Sequence, residues 1–264
     1  MQTKECVNYI TDWLLNYSKQ SKTRGFVVGV SGGIDSAVTS TLTAKTGQEV
    51  LCLEMPIYQE INQVNRANEH INWLKENFNK VSSLSIDLGE TYDCFQQTVG
   101  KDNLGSSHQM ALVNSRARLR MTTLYYYAQL NNYLVAGTGN KVEDFGIGFY
   151  TKYGDGGVDL SPIADLLKSE VFKIGKELGI INSILNARPT DGLWSDNRTD
   201  EEQIGATYSE LEWAMKFKGD TNTLKGRNKE VMEIYLHLNN VNKHKMEPIP
   251  ICKIPNYLLN KSKI

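Results

Sequence analysis

A short apolar run leads directly into a glycine-rich turn in Phe26-Val27-Val28-Gly29-Val30-Ser31-Gly32-Gly33-Ile34-Asp35-Ser36. A continuous apolar run of this length is typical of a strand that is buried on both faces of a parallel sheet. Ala37 to Lys45 follows as a predicted helix, so the sequence indicates a strand, a tight turn and a helix in succession. Turns of this kind lie at the carboxyl edge of a parallel sheet, where ligands bind.

Predicted strands and helices alternate on both sides of this stretch. The predicted strands are Phe26–Val30, Val50–Met55, Val81–Leu88 and Tyr133–Ala136. The predicted helices are Lys4–Lys19, Ala37–Lys45, Asn62–Asn77, Gln109–Leu130, Asp165–Leu178, Asp200–Phe217 and Lys229–Leu238. The alternation predicts an α/β fold with a doubly wound, mostly parallel sheet and helices on both faces. The 264 residues suffice for a single domain over 1–264.

The composition argues against several classes of function. Lys and Arg number 29 and Asp and Glu number 30, so the formal net charge of -1 gives no global attraction for nucleic acid. The four cysteines form no C-x-x-C pair, which argues against a zinc site or a disulfide framework and suits a reducing compartment. No signal peptide is recognised, and no apolar run approaches the roughly 20 residues of a membrane helix. We therefore expect a cytoplasmic protein that binds neither nucleic acid nor membrane.

The turn from Ser31 to Ser36 has the chemistry of a phosphate site. Its glycines allow backbone N–H groups to approach an anion closely, and the N-terminus of the following helix adds a partial positive charge. The hydroxyl groups of both serines can donate to the same oxygens. Asp35 would repel phosphate, so its presence indicates a Mg²⁺ ion between the two. The alternative is an ordinary turn in which a Ser or Asp side chain caps the helix.

The turn matches neither of two common nucleotide-binding motifs. It lacks the Gly-Lys-Ser/Thr ending of a Walker A loop, and it lacks the spacing of G-x-G-x-x-G. It resembles instead the S-G-G-x-D-S fingerprint of the PP-loop, or N-type, ATP pyrophosphatases. This resemblance implies an adenine nucleotide alpha hydrolase-like fold and attack of a nucleophile on the α-phosphate of ATP. The residues that it implies for ATP binding are Gly29, Val30, Ser31, Gly32, Gly33, Ile34, Asp35 and Ser36.

Two later segments narrow the resemblance to one family. They are Gly137-Thr138-Gly139-Asn140-Lys141-Val142-Glu143-Asp144 and Phe149-Tyr150-Thr151-Lys152-Tyr153-Gly154-Asp155-Gly156-Gly157-Val158-Asp159-Leu160-Ser161-Pro162. Both are similar to motifs of the ammonia-dependent NAD synthetases. The resemblance implies ATP-dependent amidation of deamido-NAD by ammonia, giving NAD, AMP and pyrophosphate through an NAD-adenylate. No nitrilase-like domain or glutaminase-like cysteine is recognised, so we expect free ammonia to be used unless a separate subunit supplies it.

The same resemblance assigns roles to individual residues. Besides the turn, it implies ATP contacts from Thr138, Lys168 and Thr190. The Mg²⁺ ligands that it implies are Asp35 and Glu143. The residues that it implies for deamido-NAD are Arg118, Lys152, Asp159, His244 and Lys245. The residues that it implies for catalysis are Asp35, Lys168 and Asp159, and either Asp159 or Asp155 could orient or deprotonate ammonium.

Several of these residues have a structural alternative. Glu143 could be a solvated acid at the start of a helix. Arg118 shares its predicted helix with Arg116 and Arg120, and at least one of the three belongs to a solvated face. The segment 243–245 could be a basic tail without contact to a ligand.

The resemblance also implies a homodimer with the deamido-NAD site near the subunit interface. The helix that carries an apolar stripe from Leu112 to Tyr126 is the expected contact. The glycine-rich segment from Lys152 to Asp159 has little core-forming content, and we expect it to be mobile or ordered by the ligand and to close over the site.

Two other functions stay open at this point. One is a different PP-loop ligase, such as a tRNA thiolase, although the lack of a C-x-x-C pair and of a basic excess counts against it. The other is a nucleotide-binding sensor without catalysis. Asp35 and Glu143 count against a sensor, because it has little use for a metal ion at the α-phosphate.

Overall fold

Four parallel strands form the sheet around which the chain is organised. They are β1 (Gly25–Gly29), β2 (Glu49–Glu54), β3 (Val81–Ser85) and β4 (Tyr133–Val135), in the order β3-β2-β1-β4. Val27 of β1 pairs with Leu51 of β2 on one side and with Val135 of β4 on the other. This computed structural model describes residues 1–100, 105–190, 192 and 199–259.

Helices surround the sheet. The α-helices are α1 (Thr3–Gln20), α2 (Ile34–Lys45), α3 (Ile61–Asn77), α4 (Gly89–Val99), α5 (Ser106–Asn131), α6 (Lys168–Glu177), α7 (Asn182–Leu185), α8 (Asp200–Ile204), α9 (Tyr208–Lys216) and α10 (Gly226–Met246). A π-helical turn spans Val142–Ile147, and 3₁₀ turns span Thr221–Thr223 and Asn256–Leu258. Among the described residues, no helix combines the length and the apolar character that a membrane span requires.

Successive residues of β1 pack on opposite faces of the sheet, because side chains alternate along a strand. Phe26 and Val28 are fully buried in a core that they share with α1, α2 and α6. Val27 is fully buried on the other face, in a core that includes Leu51 of β2 and Ala128 of α5. Helices therefore cover both faces, and the predicted doubly wound parallel sheet is confirmed.

The order of the strands reverses between β1 and β4. From β1 the chain proceeds through β2 to β3 at one edge, whereas β4 lies on the other side of β1. Loops that leave the carboxyl ends of such neighbouring strands diverge and open a crevice for ligands. A parallel bridge between Ala136 and Leu160 extends this edge of the sheet. The fold thus brings the turn 31–36 beside the turn 137–140.

A separate apolar cluster joins the C-terminal helices to the π-helical turn. Val142 and Ile147 of the turn are fully buried together with Leu211 of α9 and Val231 of α10. Because Glu143 lies within this turn, its position depends on how the C-terminal helices pack. We call this group of residues the C-terminal cluster.

The helix predicted over Asp200–Phe217 is wrong as a single element. Gly205 ends α8 with a φ of +82°, in the left-handed region that favours glycine. Thr207 then begins α9 through a capping box with Glu210, in which each side chain accepts a backbone N–H of the other residue. The sequence therefore holds a stop and a new start inside the predicted helix.

The bounds of two further predicted helices also differ. The helix predicted from Asp165 begins at Lys168, where the Glu170 side chain accepts the backbone N–H of the N-cap residue. The last helix continues past Leu238 to Met246, because Asn239 and other residues of α10 donate to carbonyl oxygens of the π-helical turn. Helix α4 has no counterpart among the predicted elements.

Candidate active site

Hydrogen bonds within the turn after β1 fix its shape. The backbone N–H of Ser31 donates to the hydroxyl oxygen of Ser36 (3.2 Å), and that hydroxyl group donates to the carbonyl oxygen of Gly33 (3.0 Å). Gly32 has a φ of +80°, and a Cβ at this position would lie 2.5 Å from the carbonyl oxygen of Gln63. A glycine is therefore required at position 32, because a side chain would be strained and would collide with α3.

Helix α2 starts on the wall of the cleft that this turn lines. Its N-cap residue is Gly33, and no side chain in the described part of the chain caps this end. The alternative of a turn that serves only a Ser or Asp cap does not hold. The first N–H groups of α2 lie where a helix N-terminus favours an anion.

Three charged side chains from distant parts of the chain meet in the cleft. The ammonium nitrogen of Lys168 lies 2.6 Å from Oδ2 of Asp35 and 2.9 Å from Oε1 of Glu143. Asp35 lies in the first turn of α2, Glu143 in the π-helical turn, and Lys168 at the first residue of α6. The lysine side chain is 4% exposed and the carboxylates are 17% and 16% exposed. Salt screens such charges weakly, and the alternative of a solvated Glu143 is wrong.

Burial and charge act against each other on these three groups. Burial raises the pKa of Asp35, and the neighbouring Lys168 offsets this only in part. Burial acts in the same direction on Glu143, but Lys168 and the hydroxyl group of Tyr208 outweigh it and lower the pKa of Glu143. Burial alone would lower the pKa of Lys168, yet the two carboxylates together raise it above its ordinary value. The ammonium group is therefore charged at neutral pH.

Two polar side chains orient the carboxylates. The fully buried amide of Asn140 donates to Oδ1 of Asp35 (3.1 Å), and its oxygen accepts the backbone N–H groups of Val142 and Glu143. The hydroxyl group of Tyr208 donates to Oε1 of Glu143 at 2.5 Å. Asn140 belongs to a turn that the sequence singles out. Tyr208 carries no such signal, because it lies 65 residues further along the chain in an ordinary helix.

All residues predicted for ATP and Mg²⁺ line this one cleft. They are Gly29, Val30, Ser31, Gly32, Gly33, Ile34, Asp35, Ser36, Thr138, Glu143, Lys168 and Thr190. Further charged or polar residues on the same wall have no counterpart in the sequence prediction. They include Glu54, Gln59, Gln63, Arg66, Arg120 and Asp200. The sheet edge thus unites motifs that are more than 100 residues apart.

A model of the NAD synthase family matches residues 6–249. The chain belongs to the NAD synthase family. It is 36% identical over 246 residues to the NH(3)-dependent NAD(+) synthetase of Mesoplasma florum, covering 93% of this chain and 95% of that protein. It is 37% identical over 263 residues to the NH(3)-dependent NAD(+) synthetase of Syntrophomonas wolfei, covering 98% of this chain and all of that protein (100%).

Solved structures agree with this family. The NMN synthetase from Francisella tularensis matches with a TM-score of 0.83 and 32% identity, covering 97% of this chain and 99% of that one. The NH3-dependent NAD synthetase from Campylobacter jejuni matches with a TM-score of 0.77 and 25% identity, covering 96% and 100%. The family indicated by the sequence motifs is confirmed, and with it an ATP-using ligase.

The residues that NAD synthase membership implies for the dinucleotide lie beside the cleft rather than on its wall. Arg118 donates to the carbonyl oxygen of Lys152 (3.3 Å), and the Lys152 ammonium group donates to the carbonyl oxygen of His244 (2.5 Å). The ammonium group of Lys245 donates to the carbonyl oxygens of Gly148 and Tyr150, each at 2.8 Å. The structure therefore brings these cations together at the end of α10. Their contacts with the dinucleotide stay predictions.

Asp159 holds two parts of the NAD synthase fold together. Its Oδ1 accepts the hydroxyl group of Tyr125 (3.0 Å) and its Oδ2 accepts the backbone N–H of Val135 (2.8 Å). Asp155, by contrast, lies on the cleft wall and accepts the backbone N–H of Thr151 (2.9 Å). Loss of surrounding water raises the pKa of Asp155 to about 6. Of the two acids, Asp155 is the one that lines the cleft.

Asp144 lies against the turn that follows β4. A Cβ at Gly139 would collide with its carboxylate group unless the Asp144 side chain moved away. Burial raises the pKa of Asp144 to about 8, assisted by repulsion from Glu143 and Asp155. This side chain is therefore largely protonated at pH 7 and adds little negative charge beside the cleft.

Proposed function

We propose that this chain catalyses the ATP-dependent amidation of deamido-NAD by ammonia, which yields NAD, AMP and pyrophosphate. The observation that carries the proposal is the single cleft in which the turn 31–36, Lys168 and the carboxylates of Asp35 and Glu143 meet. A phosphate-binding turn beside a carboxylate pair suits an enzyme that handles a triphosphate. The relatives named NH(3)-dependent NAD(+) synthetases support this choice of substrates.

The turn and the N-terminus of α2 hold the phosphates of ATP in this proposal. Backbone N–H groups and the hydroxyl groups of Ser31 and Ser36 donate to phosphate oxygens. Thr138 and Thr190 contact the nucleotide from other walls of the cleft. Lys168 supplies a buried positive charge, for which the phosphate oxygens compete with the two carboxylates.

The carboxylates of Asp35 and Glu143 fit a Mg²⁺ site, because their oxygens lie 2.6 Å and 2.9 Å from the same positive charge, the ammonium group of Lys168. Mg²⁺ is typically held by one or two carboxylates together with substrate phosphates and water. No group of three or more His, Cys, Asp or Glu side chains within the described ranges could hold a metal, which agrees with such a shared shell. When bound, Mg²⁺ would neutralise phosphate charge and make the α-phosphorus easier to attack.

The reaction has two steps. The pyridine carboxylate of deamido-NAD attacks the α-phosphorus and pyrophosphate leaves, which gives the NAD-adenylate. Ammonia then attacks the activated carbonyl carbon, AMP leaves, and NAD forms. The chain holds two anions together, offsets their repulsion with Lys168 and the turn amides, and excludes water with the segment 152–159. No covalent bond to the protein is needed.

The attacking species is neutral NH₃, so ammonium has to be attracted and then lose a proton. Asp155 lies on the cleft wall with a carboxylate that is ionised above pH 6. Both oxygens of Asp159 already accept protein donors. We therefore assign the orientation of ammonium to Asp155 and a structural role to Asp159, in place of the catalytic role that the resemblance implies.

The proposal includes a homodimer of single-domain chains in the cytoplasm. Leu112 and Leu119, which belong to the stripe predicted for the subunit contact, pack instead into the core of their own chain. Tyr126 and Leu130 are exposed one turn apart on the same helix and provide an apolar surface for a second copy. Light scattering should then give twice the chain mass of 29.8 kDa. A monomer at every concentration would contradict this part.

A second candidate substrate is the acid form of nicotinamide mononucleotide. The observation that favours it is the match to the NMN synthetase from Francisella tularensis over 97% of this chain. The chemistry at the carboxylate is the same, and the two substrates differ only in the adenylate half of the dinucleotide. A comparison of kcat/KM for the two acids decides between them, and we expect deamido-NAD to be preferred.

The test is the formation of AMP from ATP, Mg²⁺ and ammonium, with and without each acid. We expect AMP and NAD in equal amounts when deamido-NAD is present, and only background AMP when both acids are left out. Asp35→Asn should abolish the reaction, because it removes a carboxylate from the cleft. Lys141→Met is the matched control, because Lys141 pairs with the exposed Asp165 outside the cleft. No AMP at saturating substrates would contradict the proposal.

A further inference from the structure

Tyr208 connects the C-terminal cluster to the cleft. It is the first residue of α9, is 6% exposed, and packs within that cluster. Its hydroxyl oxygen lies 2.5 Å from Oε1 of Glu143 and 3.1 Å from Oδ2 of Asp200. The ammonium nitrogen of Lys168 lies 4.7 Å from the centre of its ring. One side chain therefore contacts three charged groups.

A phenol hydroxyl group has a single proton to donate. Glu143 is the nearer of its two acceptors, so the proton lies toward Glu143. Hydrogen bonds from O–H to a carboxylate are short and about twice as strong as those between neutral groups. Tyr208 therefore limits the rotation of the Glu143 carboxylate.

The hydroxyl group of Tyr208 and the ammonium group of Lys168 donate to the same oxygen of Glu143, Oε1. Neither of these two donors occupies Oε2, and the side chain of Asn140 also interacts with the Glu143 carboxylate. The second oxygen is therefore the one that Glu143 can offer to a cation in the cleft.

We propose that Tyr208 is a positioning residue that holds Glu143 in the orientation in which it binds Mg²⁺. The inference rests on the proposed function, in which Glu143 is a Mg²⁺ ligand. The contribution of Tyr208 is greatest once ATP draws Lys168 toward the phosphates, because Tyr208 is then the donor that remains on Oε1 of Glu143. Partners that hold a metal ligand from behind typically change metal affinity by roughly 10–100-fold when they are removed.

The test is Tyr208→Phe, which removes the hydroxyl group and keeps the ring in its apolar site. We expect the Mg²⁺ concentration for half-maximal activity to rise about tenfold or more, while kcat at saturating Mg²⁺ falls far less. The second readout needs no turnover: the affinity for Mn²⁺ in the presence of ATP, followed by electron paramagnetic resonance, should weaken by the same factor. Tyr235→Phe is the control, because Tyr235 packs against the same cluster.

The outcomes separate this inference from the proposed function. If the protein makes no NAD but Mn²⁺ binding still weakens in Tyr208→Phe, the positioning role stands and the substrate assignment fails. Unchanged Mn²⁺ affinity in a folded Tyr208→Phe protein overturns the positioning role, as does an equal loss of affinity in Tyr235→Phe. If the phenylalanine variant does not fold, Tyr208→Met fills the same space and is titrated in the same way.

Discussion

Lysine side chains make different contacts on the buried and on the exposed side of the cleft. On the buried side Lys168 pairs with two carboxylates and is almost inaccessible to water. On the exposed side Lys152 and Lys245 donate to backbone carbonyl oxygens and tie the end of α10 to the segment after the π-helical turn. The first arrangement holds charges in place, whereas the second holds pieces of chain together. Burial, rather than residue type, sets how much each contact contributes.

The largest effect is expected for Lys168→Met. The change leaves two carboxylates facing each other in a buried site, and removing one partner of a buried ion pair costs about 3 kcal/mol or more of unfolding free energy. Loss of a charge that stabilises the transition state lowers the rate roughly 10²–10³-fold. Urea denaturation and NAD formation measure the two effects. An unfolding free energy equal to that of the wild type would show that burial does not strengthen the interaction of Lys168 with the two carboxylates.

A second effect on the buried side concerns His70, which lies behind α2 with Nε2 3.0 Å from the hydroxyl oxygen of Ser40. Burial lowers its pKa to about 4. As pH falls, the unfolded chain gains this proton first, so the stability that depends on neutral His70 is complete above about pH 6.5 and is lost toward pH 4. Between pH 7 and 4.5 the wild type should lose about 2 kcal/mol more than His70→Gln. The unfolding free energies of both proteins are measured by urea denaturation at each pH. The same pH dependence in the wild type and in His70→Gln would contradict this.

A smaller effect is expected on the exposed side for Lys245→Met. The change frees the carbonyl oxygens of Gly148 and Tyr150, and with them the segment that leads to Lys152. We expect KM for deamido-NAD to rise about tenfold, which corresponds to one hydrogen bond with a charged donor. KM for ATP and the stability should change little. Lys243→Met is the control on the same helix end, because Lys243 pairs only with exposed Glu247 among the described residues.

The smallest effect is expected for Lys141→Met. Its ammonium nitrogen lies 2.7 Å from Asp165, nearly the same distance as in the buried pair of Lys168 and Asp35, but the two side chains are 41% and 94% exposed. Exposed pairs contribute little, so the unfolding free energy should change by less than about 0.5 kcal/mol. The ratio of this value to the effect of Lys168→Met measures what burial and a second carboxylate add at nearly the same N–O distance. Equal losses of unfolding free energy in the two variants would show that burial does not strengthen the ion pair.

Local patterns made the buried side predictable. The strands around the site are short apolar runs, and the turn 31–36 combines glycine, serine and aspartate directly after one of them. All residues predicted for ATP and Mg²⁺ lie around one cleft, because parallel strands bring their carboxyl ends to one edge. On this side of the molecule, a residue that directly follows a predicted parallel strand can be placed at the edge of the sheet from sequence alone.

Contacts between residues far apart in the sequence could not be predicted from local patterns. Tyr208 reaches Glu143 over 65 residues, and its role depends on how α9 packs against the π-helical turn. The break between α8 and α9 depends on the conformation of Gly205, which competes with an otherwise helical pattern. Lys152 and Lys245 were assigned by resemblance, and their backbone contacts follow only from the position of α10.

The order in which the chain is synthesised has a consequence for the triad of Asp35, Glu143 and Lys168. The last strand of the sheet ends at Val135, whereas Lys168 and Tyr208 follow far behind it. At translation rates of roughly 5–20 residues per second, the last strand is synthesised seconds before Lys168 and Tyr208, which contact the carboxylates of Asp35 and Glu143. The nascent chain thus contains all four strands before it contains the residues that complete the cleft. A chain that stops before α9 lacks the hydroxyl group that orients Glu143.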